Sequence, residues 1–191
     1  MFPGGLLPLR IFEVRYLDMV RKALANDAAF GVVTLLEGVE VQRPEATESF
    51  ASVGTFAEIR SASTPTPGLM QIKCMGTTRF RIESCERLKH GLWVAQVLPL
   101  PDDPTVAVPE ELADTVVALP ALLQQWREQQ ISEDNIPMRQ PFQFDDCGWI
   151  ANRWAEMLPL PAEEKLRLLA LENPLLRLEL VQDRLHSVGL L

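Results

Sequence analysis

The sequence predicts an α+β fold in which a strand-rich first half is followed by a helical second half. Up to residue 98, apolar and polar residues mostly alternate, which is the period of a strand with one buried face. Beyond residue 110, apolar residues recur every three or four positions, which is the period of an amphipathic helix. The six residues Pro99–Pro104 contain three prolines and two aspartates and continue neither element. We therefore predict two domains, residues 1–101 and 102–191.

Five alternating segments in the first domain are predicted to be strands, paired mostly with antiparallel neighbours. They are Phe30–Leu36, Val53–Ser61, Leu69–Met75, Thr78–Leu88 and Leu92–Leu98. Pro65–Gly68 and Gly76–Thr77 separate such segments and have the residue types of tight turns. A single helix, Val14–Ala25, interrupts the strands, because its apolar residues have helical spacing and Asn26 and Asp27 end it.

The second domain is predicted to consist of helices joined by short connections. The first spans Leu112–Trp126, and Pro120 is expected to kink or divide it. Asp145 or Asp146 is positioned to cap the second helix, and Pro161 to begin the third. The last helix presents a wide stripe of leucines, which other helices or another subunit must cover.

Charge and composition narrow the classes of partner. The formal net charge is -8 and the sequence pI is near 4.8, so a phosphate backbone is repelled on average and nucleic acid is disfavoured. No apolar run approaches the ~20 residues of a membrane span, and the N-terminus lacks the pattern of a secretory signal. The cysteines, Cys74, Cys85 and Cys147, have no CxxC spacing, which favours free thiols over a disulfide or zinc site. We expect a cytoplasmic protein that binds no membrane.

The common catalytic signatures are missing from the sequence. It contains no phosphate-binding GxxxxGK[ST], no GxGxxG, no GxSxG and no HExxH. His90 falls in a predicted turn and His186 near the C-terminus, so both are expected to be solvated rather than catalytic. Cys74 falls on the apolar phase of its strand, where an inert buried thiol is expected. We predict no catalytic residue, no cofactor and no metal site.

Lys73, Arg79 and Arg81 are the candidate charged binding residues. They fall on the polar faces of two predicted strands joined by a tight turn, where they would form a basic patch for a phosphate or a carboxylate-rich peptide. The alternative is a solvated face whose charge is balanced by Glu83 and Glu86, because charged residues are normally exposed.

Tryptophans are the candidate apolar binding residues. Trp93 and Trp126, together with Trp149 and Trp154, would line a groove between the sheet and the helices. The alternative is that each fills a core, since aromatic side chains dominate core energetics.

Four stretches, FPGGLLPLRIFEVRYLDMV, FGVVTLLEG, VGTFAEI and GTTRFRI, occur in an order and spacing that resembles the N-terminal domain of the Lon protease family. The later stretch WIANRWAEMLPLPAEEKLRLLALENPLLRLELVQDRL resembles the helical part of the same region. The resemblance implies a PUA-like β-pseudobarrel containing one helix, followed by a C-terminal helical bundle. It also implies a role in substrate recognition.

Two departures from the family bear on function. The complete proteases add an ATPase module and a peptidase module with a serine-lysine dyad, yet these 191 residues hold no Walker motif and no lysine in a dyad-like motif. We therefore expect recognition without catalysis. The family also has a further apolar strand before its PGG motif, whereas this chain begins Met1-Phe2-Pro3. Either the start is placed late, or one sheet edge is unpaired and available to another chain.

The leading functional hypothesis is a protein-binding module that recognises exposed apolar or extended segments of polypeptide clients, as an adaptor or a decoy. A sheet edge would bind the segment through main-chain hydrogen bonds, and an apolar groove would select its side chains. A partner protease is a second class of partner, and the leucine stripe also allows a homodimer. The alternatives are RNA binding, by analogy with PUA-like folds, and a small-molecule-binding or enzymatic role.

Residues 7–16, LPLRIFEVRY, are predicted to shape the first domain rather than to contact a ligand. Arg10, Glu13 and Arg15 are close enough in sequence to pair locally, and Ile11 and Phe12 are expected to enter the core.

Overall fold

Five strands and five α-helices make up the regular structure of the computed structural model, which describes residues 1–37, 48–132 and 136–191. The strands are β1 (Leu6–Ile11), β2 (Phe30–Glu37), β3 (Ser49–Thr66), β4 (Leu69–Arg87) and β5 (Trp93–Pro99). The helices are α1 (Val14–Ala25), α2 (Ala113–Glu128), α3 (Cys147–Met157), α4 (Ala162–Ala170) and α5 (Pro174–Ser187), and a short 3-10 helix, Glu110–Leu112, precedes α2. An antiparallel sheet plus helices is therefore the architecture.

The chain separates into two compact units. One contains Met1 and Leu6–Pro101, and the other contains Phe2–Gly5 and Asp102–Leu191. We call them the β unit and the helical unit. None of the described helices is long and apolar enough to cross a membrane.

The β4 strand organises the β unit because three other strands pair with it. The sheet order is β1-β4-β3-β2, with β5 also paired to β4, and every pairing is antiparallel. Strand β1 pairs with the first part of β4, at residues 70–75, and β5 pairs with the last part, at residues 80–87. Met70, Ile72 and Cys74 alternate onto one face of β4 and pack in a core with Leu17 and Val20 of α1.

The prediction of a turn at Gly76–Thr77 is wrong, because strand β4 continues through both residues. Its register against β3 shows why: Arg79 pairs with Thr55 and Gly76 pairs with Ala57, so β4 carries one extra residue. The extra residue forms a β-bulge instead of a turn. By contrast, the turn predicted at Pro65–Gly68 is confirmed.

The stretch before α1 departs from prediction in two ways. Residues 6–11 form β1, an edge strand that the sequence reading missed because Pro8 disfavours a strand interior. Phe12 is 63% exposed rather than buried, because it falls in the connection between β1 and α1. Ile11 does enter the core, and Arg15 Nε donates to Glu13 at 2.9 Å as expected.

Local capping signals define the helices of the helical unit. Asp146 accepts a hydrogen bond from Trp149 N at 2.8 Å and begins α3. Asn173 accepts from Leu175 N at 3.0 Å and so caps α5. Pro120 lies inside α2 without dividing it.

A fully buried arginine connects the segments of the helical unit. Arg177 of α5 is 0% exposed, and its Nη1 and Nη2 atoms both bind the Asp103 carboxylate. Its Nη1 also donates to Asn152 Oδ1 at 3.1 Å, and its Nε to Leu168 O at 3.0 Å. The remaining Nη2 hydrogen bonds Leu171 O, so all five N–H groups of the guanidinium have acceptors. A buried charge is stable only with such complete pairing.

A second buried arginine holds the short segment Phe2–Gly5. Arg153 Nη1 donates to Gly4 O at 2.7 Å, and Glu156 accepts from Phe2 N at 2.9 Å. The two side chains also pair at 3.3 Å. Burial raises the pKa of Glu156 and lowers the pKa of Arg153, while their mutual attraction opposes both shifts. A side chain at Gly5 would displace the Glu156 carboxylate, which accepts the hydrogen bond from Phe2 N.

Candidate functional site

The predicted basic residues do not lie together on one exposed patch. Lys73, Arg79 and Arg81 all lie on the single strand β4, and Lys73 is six residues from Arg79, or ~20 Å at the usual rise per strand residue. Arg79 is only 3% exposed, because the chain leaving β5 passes over it: Arg79 Nη2 donates to Pro101 O at 3.4 Å and Leu100 N donates to Arg79 O at 2.8 Å. Of the three, Arg81 is the exposed one.

The predicted tryptophans occupy different units. Trp93 lies half-buried on β5 of the β unit, where its indole N–H donates to the Glu48 carboxylate and its ring meets the Phe50 ring edge-on at 5.2 Å. Trp126 lies half-buried on α2 of the helical unit. Trp154 is 4% exposed and donates to Thr115 O at 2.9 Å, which is a core role.

A shallow cleft of about 340 Å³ opens in the β unit beside the bulge of β4. It is lined by Ala29, Phe56, Thr77, Thr78 and Pro99. Thr77 Oγ1 donates to Phe56 O at 3.3 Å, which fixes the bulge, and the Phe56 ring packs on the Phe80 ring with centroids 4.7 Å apart. The lining contains no charged side chain, and the volume is at the lower end of the range for small-ligand sites.

The outer edge of β5 adjoins this cleft at Pro99. In the described residues β5 pairs with β4 alone, so its other edge has no strand partner there. The seven residues Trp93–Pro99 include no charged side chain, and Val94 and Leu98 are 36% and 52% exposed. An uncharged edge of this length is a template for another strand. We call the cleft and this edge together the β5 surface.

The thiols and the possible metal ligands of the described residues are the groups that covalent or metal chemistry would need. Burial raises the pKa of the Cys74 thiol to about 11. Burial, with the neighbouring Asp146 carboxylate, also raises the pKa of Cys147. The described residues contain no cluster of three or more histidine, cysteine, aspartate or glutamate side chains suited to a metal ion.

Comparison with known proteins identifies the family. Residues 1–187 match the family model of the ATP-dependent protease La (LON) substrate-binding domain. The chain belongs to this family. The resemblance found in the sequence is thereby confirmed, and the members of this family are substrate-binding domains.

Solved structures agree with this assignment of the Lon substrate-binding domain. The chain is similar to the crystal structure of a Lon N-terminal domain protein from Xanthomonas campestris, with 28% identity and a TM-score of 0.75 over 96% of this chain and 91% of that chain. It is also similar to the N-terminal domain of Mycobacterium avium complex Lon protease, with 18% identity and a TM-score of 0.56 over 96% and 90% of the two chains. The second likeness concerns the fold alone. No curated protein matches the sequence significantly.

Sequence reasoning missed the cleft, and no local signal would have found it. Its lining comes from four separate stretches, represented by Ala29, Phe56, Thr77 and Pro99. Only the pairing of β3 with β4 and of β4 with β5 brings them together. A signal for the neighbouring edge did exist, since Trp93–Pro99 contains no charged residue.

Proposed function

We propose that this protein is a non-catalytic polypeptide-binding module that holds exposed apolar segments of client proteins on the β5 surface. The observation that carries the proposal is the uncharged cleft beside an uncharged sheet edge, within a domain of a substrate-binding family. Apolar burial in the cleft supplies affinity, and because the cleft is shallow a segment buries only a small area there. Binding is therefore expected to be weak and reversible.

The charge of the molecule supports a polypeptide partner over RNA. The net charge of -8 repels a phosphate backbone, and the lining of the cleft supplies no compensating cation. Clients bind either to this module alone or to a complex with a partner protease in the cytoplasm.

The finer architecture belongs to the same proposal. We infer that the β unit is a PUA-like β-pseudobarrel, that α2 to α5 form a bundle, and that residues 101 and 102 mark the domain boundary. The five-stranded antiparallel sheet with one helix supports the first point, and the two compact units support the last.

The test is binding of an unfolded protein. Fluorescently labelled, reduced and carboxymethylated lactalbumin is titrated with the wild type and with Ala29→Glu, which places a charge at the cleft. Ala62→Glu on the exposed part of β3 is the matched control. We expect Ala29→Glu to weaken binding about tenfold, because the carboxylate must be desolvated or excluded, and Ala62→Glu to leave it unchanged. Absence of wild-type binding, or binding only to a labelled oligonucleotide, would contradict the proposal.

A further inference from the structure

We propose that the outer edge of β5 binds an extended, uncharged apolar segment of another polypeptide as an added β-strand, with one apolar side chain of that segment seated in the cleft at Pro99. This inference rests on the proposed function, because it assigns the surface and the class of segment that a polypeptide-binding module would use.

Two hydrogen bonds show which main-chain groups of β5 face outward. Leu100 N donates to Arg79 O at 2.8 Å, and Leu88 N donates to Leu92 O at 2.8 Å, so Leu92 and Leu100 at the two ends both face β4. Because successive residues of a strand face opposite edges, the even-numbered residues between them also face β4. The N–H and C=O groups of Trp93, Ala95 and Val97 therefore turn to the outer edge.

The outward groups match the repeat of another strand. They recur at every second residue, or roughly 6.7 Å, which is the repeat of the groups on any strand that pairs alongside. The register irregularity between β4 and β5 adds its extra residue to β4, so β5 itself is uninterrupted. Within the part of the chain that the structure describes, this edge is therefore regular along its length.

The other sheet edges carry features that oppose strand addition, and β5 does not. Strand β1 contains Pro8 and Arg10, and β2 departs twice from regular register against β3. The outer part of β3 carries the ion pair between Arg60 and Glu58 at 2.7 Å. Prolines, charges and bulges are the usual protections of an exposed edge. Within the described part of the sheet, β5 has no charge and has a proline only at its last position, Pro99.

Charge and exposure point to a neutral apolar occupant. Val94 and Leu98 are exposed on one face of β5, where an added strand would cover them. Their pairing partners on β4 are Glu86 and Arg81, so neither sign of charge dominates the face. Residues 1–101 contain 11 lysines and arginines against 10 aspartates and glutamates, so this part of the chain favours neither sign of charge, whereas an apolar segment gains from covering these side chains. A segment running along β5 then reaches the cleft where β5 ends.

A backbone N-methyl scan tests strand addition directly. The probe is a fluorescein-labelled nine-residue peptide of alternating valine and threonine with one central phenylalanine and a lysine at each end. Methylating one amide at a time removes a donor and leaves the side chains unchanged. Strand addition predicts binding about five- to tenfold weaker for alternate positions only, because every second N–H faces β5 and each hydrogen bond has a modest net worth. Moving the phenylalanine along the peptide should weaken binding at every position from which its ring no longer reaches the cleft.

A matched pair of protein variants tests the same edge from the other side. Ala95→Pro removes an outward N–H that β4 does not use, while Ala95→Ser keeps that N–H and makes a similarly small change. We expect Ala95→Pro to weaken the peptide about tenfold more than Ala95→Ser does, because only the proline lacks the N–H that the peptide would use. Far-ultraviolet circular dichroism checks that both variants fold. If Ala95→Pro does not fold, the N-methyl scan decides the question with the wild type.

The outcomes separate this inference from the proposed function. Binding that loses affinity at alternate amides, and that Ala95→Pro weakens, supports strand addition. Binding of unfolded lactalbumin that Ala29→Glu weakens, without alternation and without an effect of Ala95→Pro, overturns the inference and leaves the function standing. A dimer in sedimentation that Ala95→Pro dissociates overturns it as well, because a second copy then occupies the edge. No binding of any unfolded chain overturns both.

Discussion

The β unit and the helical unit satisfy their main-chain polar groups in different ways. Helices satisfy their own N–H and C=O groups except at the ends, and in the helical unit buried Arg153 binds a carbonyl of the segment Phe2–Gly5 while buried Arg177 binds a carbonyl in the last turn of α4. A sheet satisfies its groups through neighbours, so its edge strands retain outward donors and acceptors. Main-chain recognition of a peptide is thus available to the β unit, whereas the helical unit presents mainly side chains.

The largest expected effect is on the helical unit. Arg177→Met should lower its free energy of unfolding by about 3–5 kcal/mol, because the change removes five hydrogen bonds and leaves the Asp103 carboxylate buried without its partner. Urea unfolding followed by circular dichroism at 222 nm measures the loss.

Two further variants make this measurement decisive. Arg167→Met removes an exposed arginine that pairs with Glu163 at 3.1 Å, and it should have little effect because exposed ion pairs contribute little. Adding Asp103→Leu to Arg177→Met should recover part of the loss, since the uncompensated charge is then gone. An Arg177→Met protein as stable as the Arg167→Met control would contradict the role assigned to this network.

The second effect is on the β unit and comes from steric crowding. A Cβ atom at Gly54 would lie 2.5 Å from Phe80 Cζ and 2.7 Å from Val32 O. Gly54→Ala should therefore cost about 1–3 kcal/mol, the range for an overpacked site. Gly31→Ala is the matched comparison, because its Cβ meets only the Phe80 ring, at 2.9 Å. Equal losses for the two variants in thermal unfolding would show that the Val32 carbonyl imposes no constraint.

The features that sequence predicted well depend on neighbours along the chain. The bounds of α1, Val14–Ala25, follow from apolar spacing and a stop signal, and they agree with the structure. The cap Asp146 acts on an amide within three residues. Such signals lie entirely within a short window, and sequence patterns describe them directly.

The features that sequence missed depend on long-range pairing. Gly76–Thr77 has the composition of a turn, yet both residues continue β4 because that strand is paired with β3 around the bulge. Arg79 falls on the polar phase of its strand with Arg81 and Glu83, yet Pro101 and the chain after β5 bury it. Arg153 and Arg177 lie among the apolar residues of α3 and α5, and this position could have predicted their burial. Their hydrogen-bond acceptors could not be predicted in the same way, because they belong to segments distant in the sequence. The lining of the cleft combines four such stretches, so no spacing rule predicts it.

The smallest expected effect is a difference in the rate of thiol modification, which compares the burial of a cysteine in each unit without any mutation. Cys74 is buried in the β unit and Cys147 in the helical unit, while Cys85 is exposed. At pH 8, iodoacetamide should modify Cys85 fastest, because a thiol with a pKa of about 11 has only ~0.1% thiolate and is also shielded. Mass spectrometry of digests taken over time gives each rate. Modification of Cys74 as fast as Cys85 would contradict its burial.

The same thiols report which unit opens, since a buried cysteine reacts when its surroundings unfold locally. Arg177→Met should accelerate modification of Cys147 and leave the rate at Cys74 unchanged, whereas Gly54→Ala should do the reverse.

The contribution of Cys74 to stability should depend on pH with a definite sign. Because folding raises the pKa of Cys74 from 9.0 to about 11, the folded β unit holds that proton more tightly than the unfolded chain. The stability difference between wild type and Cys74→Ala should therefore fall as pH rises from about 9 through 11, and a difference that grows would mean that the folded unit favours the thiolate.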